Sequence, residues 1–276
     1  MFRNSLIGGC LLAALVAAGA AAAPFASAHY DAAYGRAMAQ LPDWRGVWQL
    51  AGQGIFDPST VEPPGASPND TPWARERPPY NAEWEAKYQF VINEHKAGRL
   101  LFDPATNCSP MGVPRVLGGL LPYMFEIINK PDQTWMVFEY MSLTRRIYTD
   151  GHPHPPADDL WPTWTGHSVG HWEGDTLVVD TVSIRAAAYD RTGATHSDQL
   201  HLVERWRLID PGTLENQMVL EDPVAFTRPW RVTRLYKRQP PGTRLDNIYC
   251  NDGNERNPVV EGQTTIILGG ERPAAK

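Results

Sequence analysis

The stretch THSDQLHLVERW, residues 195–206, sets His196, His201, Asp198, Glu204 and Arg205 among only three aliphatic side chains. Imidazole changes charge near neutral pH, so such a cluster is equipped for proton transfer or for binding zinc, iron or copper. Strand geometry limits how much of it can converge. Residues three apart on a strand face opposite ways, so Glu204 shares a side with Leu202 and Trp206, whereas His201 shares one with Val203 and Arg205. The stretch therefore divides between two faces. His196 falls in the turn before the strand and is free to join either.

The remaining histidines sort by the same geometry. His167 and His171 share a strand face but lie ~13 Å apart, too far to chelate one ion, and Gly166 and Gly170 argue against a helix that would close the gap. His152 and His154, in DGHPHPP, are two apart in a Pro-rich loop, where solvated histidines are the commoner case and no third ligand is near. His167 heads one strand and His201 another, and antiparallel packing brings such ends to one rim. The expected site is that rim. His167 and His201 are its acid–base pair, and Glu204 is the orienting carboxylate where the strand bends enough to turn it. His196 and His154 are the further ligands if a divalent metal is held there. The structural alternative is that these imidazoles bond loop backbone and merely orient the rim.

Two other groups bear on a ligand. Adjacent arginines on a strand face opposite ways, so at most one of Arg145 and Arg146 enters an interior. Arg146, with Glu139, is the expected polar contact for an anionic ligand group. Trp164 and Trp206 could stack on an aromatic ligand, although most tryptophans of this chain belong to a core.

The elements that must position these residues are short. MFEIIN, TWMVFEYM, TRRIYTDG, the hairpin SVGHWEGDTLVVDTVSI, the hairpin LHLVERWRLID–TLENQMVLEDP, WRVTRLYKRQ, DNIYCND and TTIILG read as strands separated by Gly or Pro turns. About nine such strands, with polar residues on both faces, predict an antiparallel barrel rather than a dry sandwich. No βαβ alternation and no phosphate-type glycine loop is present, which disfavours nucleotide-binding folds. One helix is expected. Asn81 is its N-cap, Glu83 and Glu85 lie in its first turn, Trp84, Tyr88, Val91 and Ile92 recur at helical spacing, and Gly98 ends it. Residues 29–80, rich in Pro, Gly and Asn, form an irregular N-terminal wrap with one short strand at DWRGVWQL. Residues 81–276 form the helix-plus-barrel domain.

The N-terminus addresses the compartment. Arg3, the apolar run LIGGCLLAALVAAGAAAA and the A-x-A site Ala26-Ser27-Ala28 have the layout of a cleaved secretory signal over residues 1–28. Cleavage there leaves 248 of the 276 residues, with 24 basic against 31 acidic side chains once Arg3 is gone, a net charge of −7. That balance excludes a basic nucleic-acid surface, and no second apolar run reaches the ~20 residues a bilayer requires. A periplasmic or secreted protein is the expectation. In such a compartment Cys108 and Cys250 read as a disulfide. The cut would also leave His29 as N-terminus, the one feature shared with copper monooxygenases that chelate copper through a terminal histidine.

GHSVGHWEGDTLVVDT, HSDQLHLVERWRL, EDPVAFTRPW and NERNP together resemble a large family of exported bacterial proteins of unassigned function, over roughly residues 44–258. His171 stands where that family usually carries Arg. Separately, DWRGVW is similar to the Gly-x-Trp opening strand of lipocalins and related calycin barrels, which implies a small hydrophobic molecule bound within a barrel. The combined expectation is an exported barrel acting on a hydrophobic or aromatic small molecule as a lyase, isomerase or hydrolase. A non-catalytic carrier and a copper-dependent oxidative enzyme are the alternatives, and a purely structural envelope protein is a third.

Overall fold

The computed structural model describes residues 32–51, 78–99, 103, 105, 109–118, 123–189, 193–246, 248, 259–260 and 263–264. The signal segment, the cut beside His29 and the Cys108–Cys250 pairing lie outside these residues.

Nine strands close into a barrel: β1 (Val47–Leu50), β2 (Phe125–Asn129), β3 (Gln133–Phe138), β4 (Thr144–Tyr148), β5 (His167–Glu173), β6 (Thr176–Val182), β9 (His201–Asp210), β10 (Thr213–Glu221) and β11 (Trp230–Arg238). Around the ring they run β1-β11-β10-β9-β6-β5-β4-β3-β2, and β2 returns to β1. The short strands β7 (Ala187–Ala188) and β8 (Thr195–His196) pair with each other beside the ring, as do β12 (Val259–Val260) and β13 (Gln263–Thr264). The fold is the mainly β, calycin-like barrel expected, but not all of its joins are antiparallel. The pair β4–β5 is parallel, with Ile147 opposite Ser168, while every other neighbouring pair in the ring is antiparallel. A ring with an odd number of strands cannot alternate direction all the way round, so one parallel join is forced. Residues 149–166 make the crossover that a parallel join needs.

Period-two alternation decides which side chains fill the barrel. On β9, Leu202, Glu204 and Trp206 are buried while Val203, Arg205 and Arg207 face outward. On β11, Trp230, Val232, Arg234 and Tyr236 are buried between exposed Arg231, Thr233 and Leu235. The inward set includes Trp48, under the Arg238 guanidinium, and Phe125, Phe138, Trp206 and Tyr236, packed ring against ring, with Phe125 and Tyr236 5.1 Å apart at 83° and Trp206 and Tyr236 5.3 Å apart. Removing each such apolar side chain from water contributes roughly 1.5–3 kcal/mol, so these rings account for much of what holds the ring of strands shut. The interior is occupied by the protein's own side chains.

Helix α2 (Ala82–Lys96) covers one flank. The Asn81 side chain accepts from the Trp84 N–H at 3.1 Å, Glu83 and Glu85 meet the positive helix end, and Tyr88 and Ile92 are buried. Tyr80 fastens the helix to the barrel, its ring within 5.7 Å of Phe226 and its hydroxyl donating to the Thr195 carbonyl at 2.5 Å. A second helix, α1 (Ala32–Gln40), occupies part of the N-terminal wrap read as irregular. It buries no side chain, and its alanines together with Arg36, Met38 and Gln40 favour the helix. Among the described residues no helix is long and apolar enough to cross a membrane.

Candidate functional site

The strands β5, β6, β9 and β10 lie side by side, and their outward positions at one end of the barrel carry ionisable side chains. His167 opens β5 opposite Val182, the last residue of β6; His201 opens β9 opposite Glu221, the last residue of β10. Thr181 lies opposite Leu202, which puts Val182 at the level of His201. His167 and His201 thus stand in one cross-strand row, two strand spacings or ~10 Å apart. Asp180, two residues back along β6, faces the same way and reaches between them.

A continuous polar line results. His201 Nε2 is 3.0 Å from Asp180 Oδ1, and His201 Nδ1 is 3.3 Å from Glu221 Oε2. His154 Nε2 is 3.2 Å from the same Asp180 oxygen, and His154 Nδ1 is 2.8 Å from His167 Nδ1. His154 comes from the crossover 149–166, so the parallel join of β4 to β5 is what delivers it. Tyr148, the last residue of β4, stacks on the His167 ring at 5.6 Å.

The proton inventory follows from donor and acceptor rules. The hydrogen bond from His201 holds the Asp180 carboxyl below its ordinary range, so Asp180 is an ionised acceptor. His154 then donates through Nε2, and its Nδ1 shares a hydrogen bond with His167 Nδ1, which leaves His167 Nε2 outside the line. The two strand histidines are pushed in opposite directions. The Asp180 hydrogen bond raises the His201 pKa above the usual histidine value, with Glu221 adding to it, while burial and then the nearby His154 lower that of His167. Two neighbouring titratable groups driven apart in this way are suited to opposite acid and base roles.

His201 and Glu221 also line a groove of about 400 Å³, whose other walls include Pro223, Phe226, Arg228 and Pro229. Asp222 builds it rather than acts in it. Its carboxylate accepts from Ser197 N–H and Oγ–H, both at 2.7 Å, and from the N–H groups of Val224 and Ala225 at 3.2 and 3.1 Å. The two bonds from Ser197 bind the β8–β9 turn to the loop after β10, and the other two shape that loop.

The other expected site residues lie elsewhere. Glu204 does not join His201. It is fully buried inside the barrel, ion-paired with Arg145 and accepting from Trp206 Nε1 and Asn216 Nδ2, each at 3.1 Å. Arg145, not Arg146, is the inward arginine, and it also donates to Ser168 Oγ at 3.2 Å and Thr181 Oγ1 at 2.8 Å. Arg146 faces out over the Trp135 ring. Glu139 is buried in the β3–β4 connection, accepting from the backbone of Met124 and Asp246, so it fixes a turn instead of meeting a ligand. Trp164 stacks under Arg185, and Trp206 belongs to the interior aromatic cluster. His196 is buried, its Nδ1 2.9 Å from the Ser197 carbonyl and its ring against Tyr189, away from the line.

Among the described residues no group of three or more His, Cys, Asp or Glu side chains is arranged to hold an ion, and the His154–His167 contact has the geometry of an N–H···N hydrogen bond. Asp180 and Glu221 join the line without having been singled out in the sequence. The available signal was an acid on the outward phase of the alternating strand TLVVDTV, the same phase that His167 occupies on the strand it pairs with. No family model matches the chain, and no curated protein matches it.

Proposed function

We propose that the protein is an exported enzyme that moves protons on a small apolar or aromatic molecule held in the groove beside His201. The observation that carries this reading is the line His167–His154–Asp180–His201–Glu221, which ends at the groove. His201, whose pKa is raised by Asp180 and then Glu221, is the general acid: its Nδ1–H, which meets Glu221 in the groove, goes to a substrate that displaces that contact, while Nε2 stays on Asp180. Asp180 positions it, His154 and His167 hold Asp180 from the other side, and the proton lost from the substrate C–H returns to the His201 imidazole, so that His201 ends the cycle as it began. Among the described residues none of His154, His167 and His201 bonds a hydroxyl or thiol, so the arrangement favours a lyase or isomerase over a hydrolase working through an activated nucleophile. Export rests on the leader-like segment 1–28, and the compartment it implies agrees with reading Cys108 and Cys250 as a disulfide.

The test is C–H exchange and elimination in D2O, followed by proton NMR over a panel of small aromatic β-hydroxy and β-keto acids, with the mature protein and with His201→Gln and Asp180→Asn. General acid–base groups contribute about 10²–10⁴-fold, so either variant should lose at least a hundredfold in rate while keeping affinity. Turnover unchanged in both variants would remove His201 and Asp180 from the chemistry, and binding without any turnover in the unaltered protein would make the barrel a carrier.

A further inference from the structure

The charged side chains along the groove are not equivalent. His201 is committed to Asp180 and Glu221, Glu221 to His201, and Asp222 to four donors of its own neighbourhood. Arg228 is different. It sits on the exposed loop between β10 and β11, lines the groove, and makes no hydrogen bond or ion pair among the described residues. The groove's apolar lining includes Pro223, Phe226 and Pro229, and Phe226 is packed against Tyr80 and Trp230 at 5.7 and 6.1 Å. A fixed apolar wall, an uncommitted guanidinium and a proton donor therefore share one groove.

From this arrangement we infer that the groove takes an organic monocarboxylate, its carboxylate paired with Arg228, its apolar body against Pro223 and Phe226, and its reacting end at His201. Guanidinium presents paired donors that match a carboxylate, which a neutral or cationic head cannot use. A dianion is disfavoured because Glu221 lies in the same groove. A volume of about 400 Å³ admits a molecule the size of a single substituted ring, near the lower end of small-molecule sites. The inference rests on the acid–base reading of His201 for the placement of the reacting end, and on Arg228 alone for the charge of the ligand.

Binding is measured by saturation-transfer NMR and calorimetry with benzoate, phenylacetate and 3-phenylpropanoate, each against its amide and against phenethylamine, on the mature protein, Arg228→Gln and His201→Gln. At least one carboxylate should bind the unaltered protein at least about tenfold more tightly than its amide, and Arg228→Gln should erase that difference while leaving amide binding unchanged. His201→Gln should retain carboxylate binding within about threefold, because its role is in turnover. Equal affinity for acid and amide, tighter binding of phenethylamine, no binding of any carboxylate, or no effect of Arg228→Gln each overturns the inference. Arg228 is exposed and bonds nothing among the described residues, so its replacement leaves the fold intact, as circular dichroism should verify. A carboxylate preference that depends on Arg228, with C–H exchange unaffected by His201→Gln, would uphold the ligand class and sink only the acid–base reading.

Discussion

His201 and Glu204, three residues apart on β9, stand on opposite sides of the barrel wall: His201 bonds Asp180 on the outer surface at 3.0 Å, and Glu204 is sealed inside against Arg145. The wall thus separates two ionic systems, one exposed and titratable, one buried and structural. Glu204→Gln should leave the Arg145 guanidinium buried without its counter-charge and destabilise the fold by about 3–5 kcal/mol. Urea unfolding measures this, and the paired change Arg145→Met with Glu204→Leu should recover most of the loss. A loss below 1 kcal/mol in the single variant would show that the pair is not closed to water.

The outer system predicts a titration. Asp180→Asn should lower the His201 pKa towards the ordinary histidine value, and Glu221→Gln should lower it by less, since the Asp180 hydrogen bond is the larger cause. Carbon-13-edited NMR of the imidazole Cε1–H signals reads both. A larger shift in Glu221→Gln would reverse the assignment of Asp180 as the positioning group.

His196 ties stability to pH. Burial holds its pKa below 6.5, so it stays neutral in the folded protein, whereas the unfolded chain takes up a proton near that pH. The stabilisation from keeping it neutral is complete above about pH 6.5 and is lost as pH falls, at up to ~1.4 kcal/mol per pH unit for one proton. His167, whose pKa is also lowered, acts in the same direction, and His201, whose pKa is raised, in the opposite one. Urea midpoints between pH 5 and 7 should therefore fall less steeply in His196→Gln than in the unaltered protein.

Gly166 positions the head of β5. Its φ is +66°, and a Cβ there would meet the Val182 carbonyl oxygen and Thr181 Cγ2 at 2.7 Å each. Gly166→Ala should cost about 1–3 kcal/mol from the backbone conformation alone. It should also displace His167 from His154, which NMR would register as a changed His167 titration. An unchanged midpoint and titration would show that the β5–β6 junction yields freely.

Several features were legible in the sequence because they depend on neighbours along the chain. Alternation in LHLVERWRL placed Glu204 and His201 on different faces, Asn81 with two glutamates marked the start of α2, and Glu-Gly-Asp marked the β5–β6 turn. Glycine or proline between short strands pointed to a barrel for the same local reason. Which arginine enters the barrel was a different kind of question. Alternation says that Arg145 and Arg146 diverge, but only the packing of β4 against β5 decides that Arg145 reaches Ser168, Thr181 and Glu204.

The site itself belongs to the tertiary structure. His154 and His167 are brought within 2.8 Å by a crossover that a ring of nine strands requires, and no pattern in residues 149–166 encodes that constraint. Asp180 became central because β6 lies between β5 and β9 in the ring, although β9 does not follow it in sequence. Sequence by itself determined the strands, their inward and outward phases and the supply of histidines near one end. The closure of the sheet determined which outward side chains meet, because hydrogen-bond register between strands distant in sequence is set only when the barrel shuts.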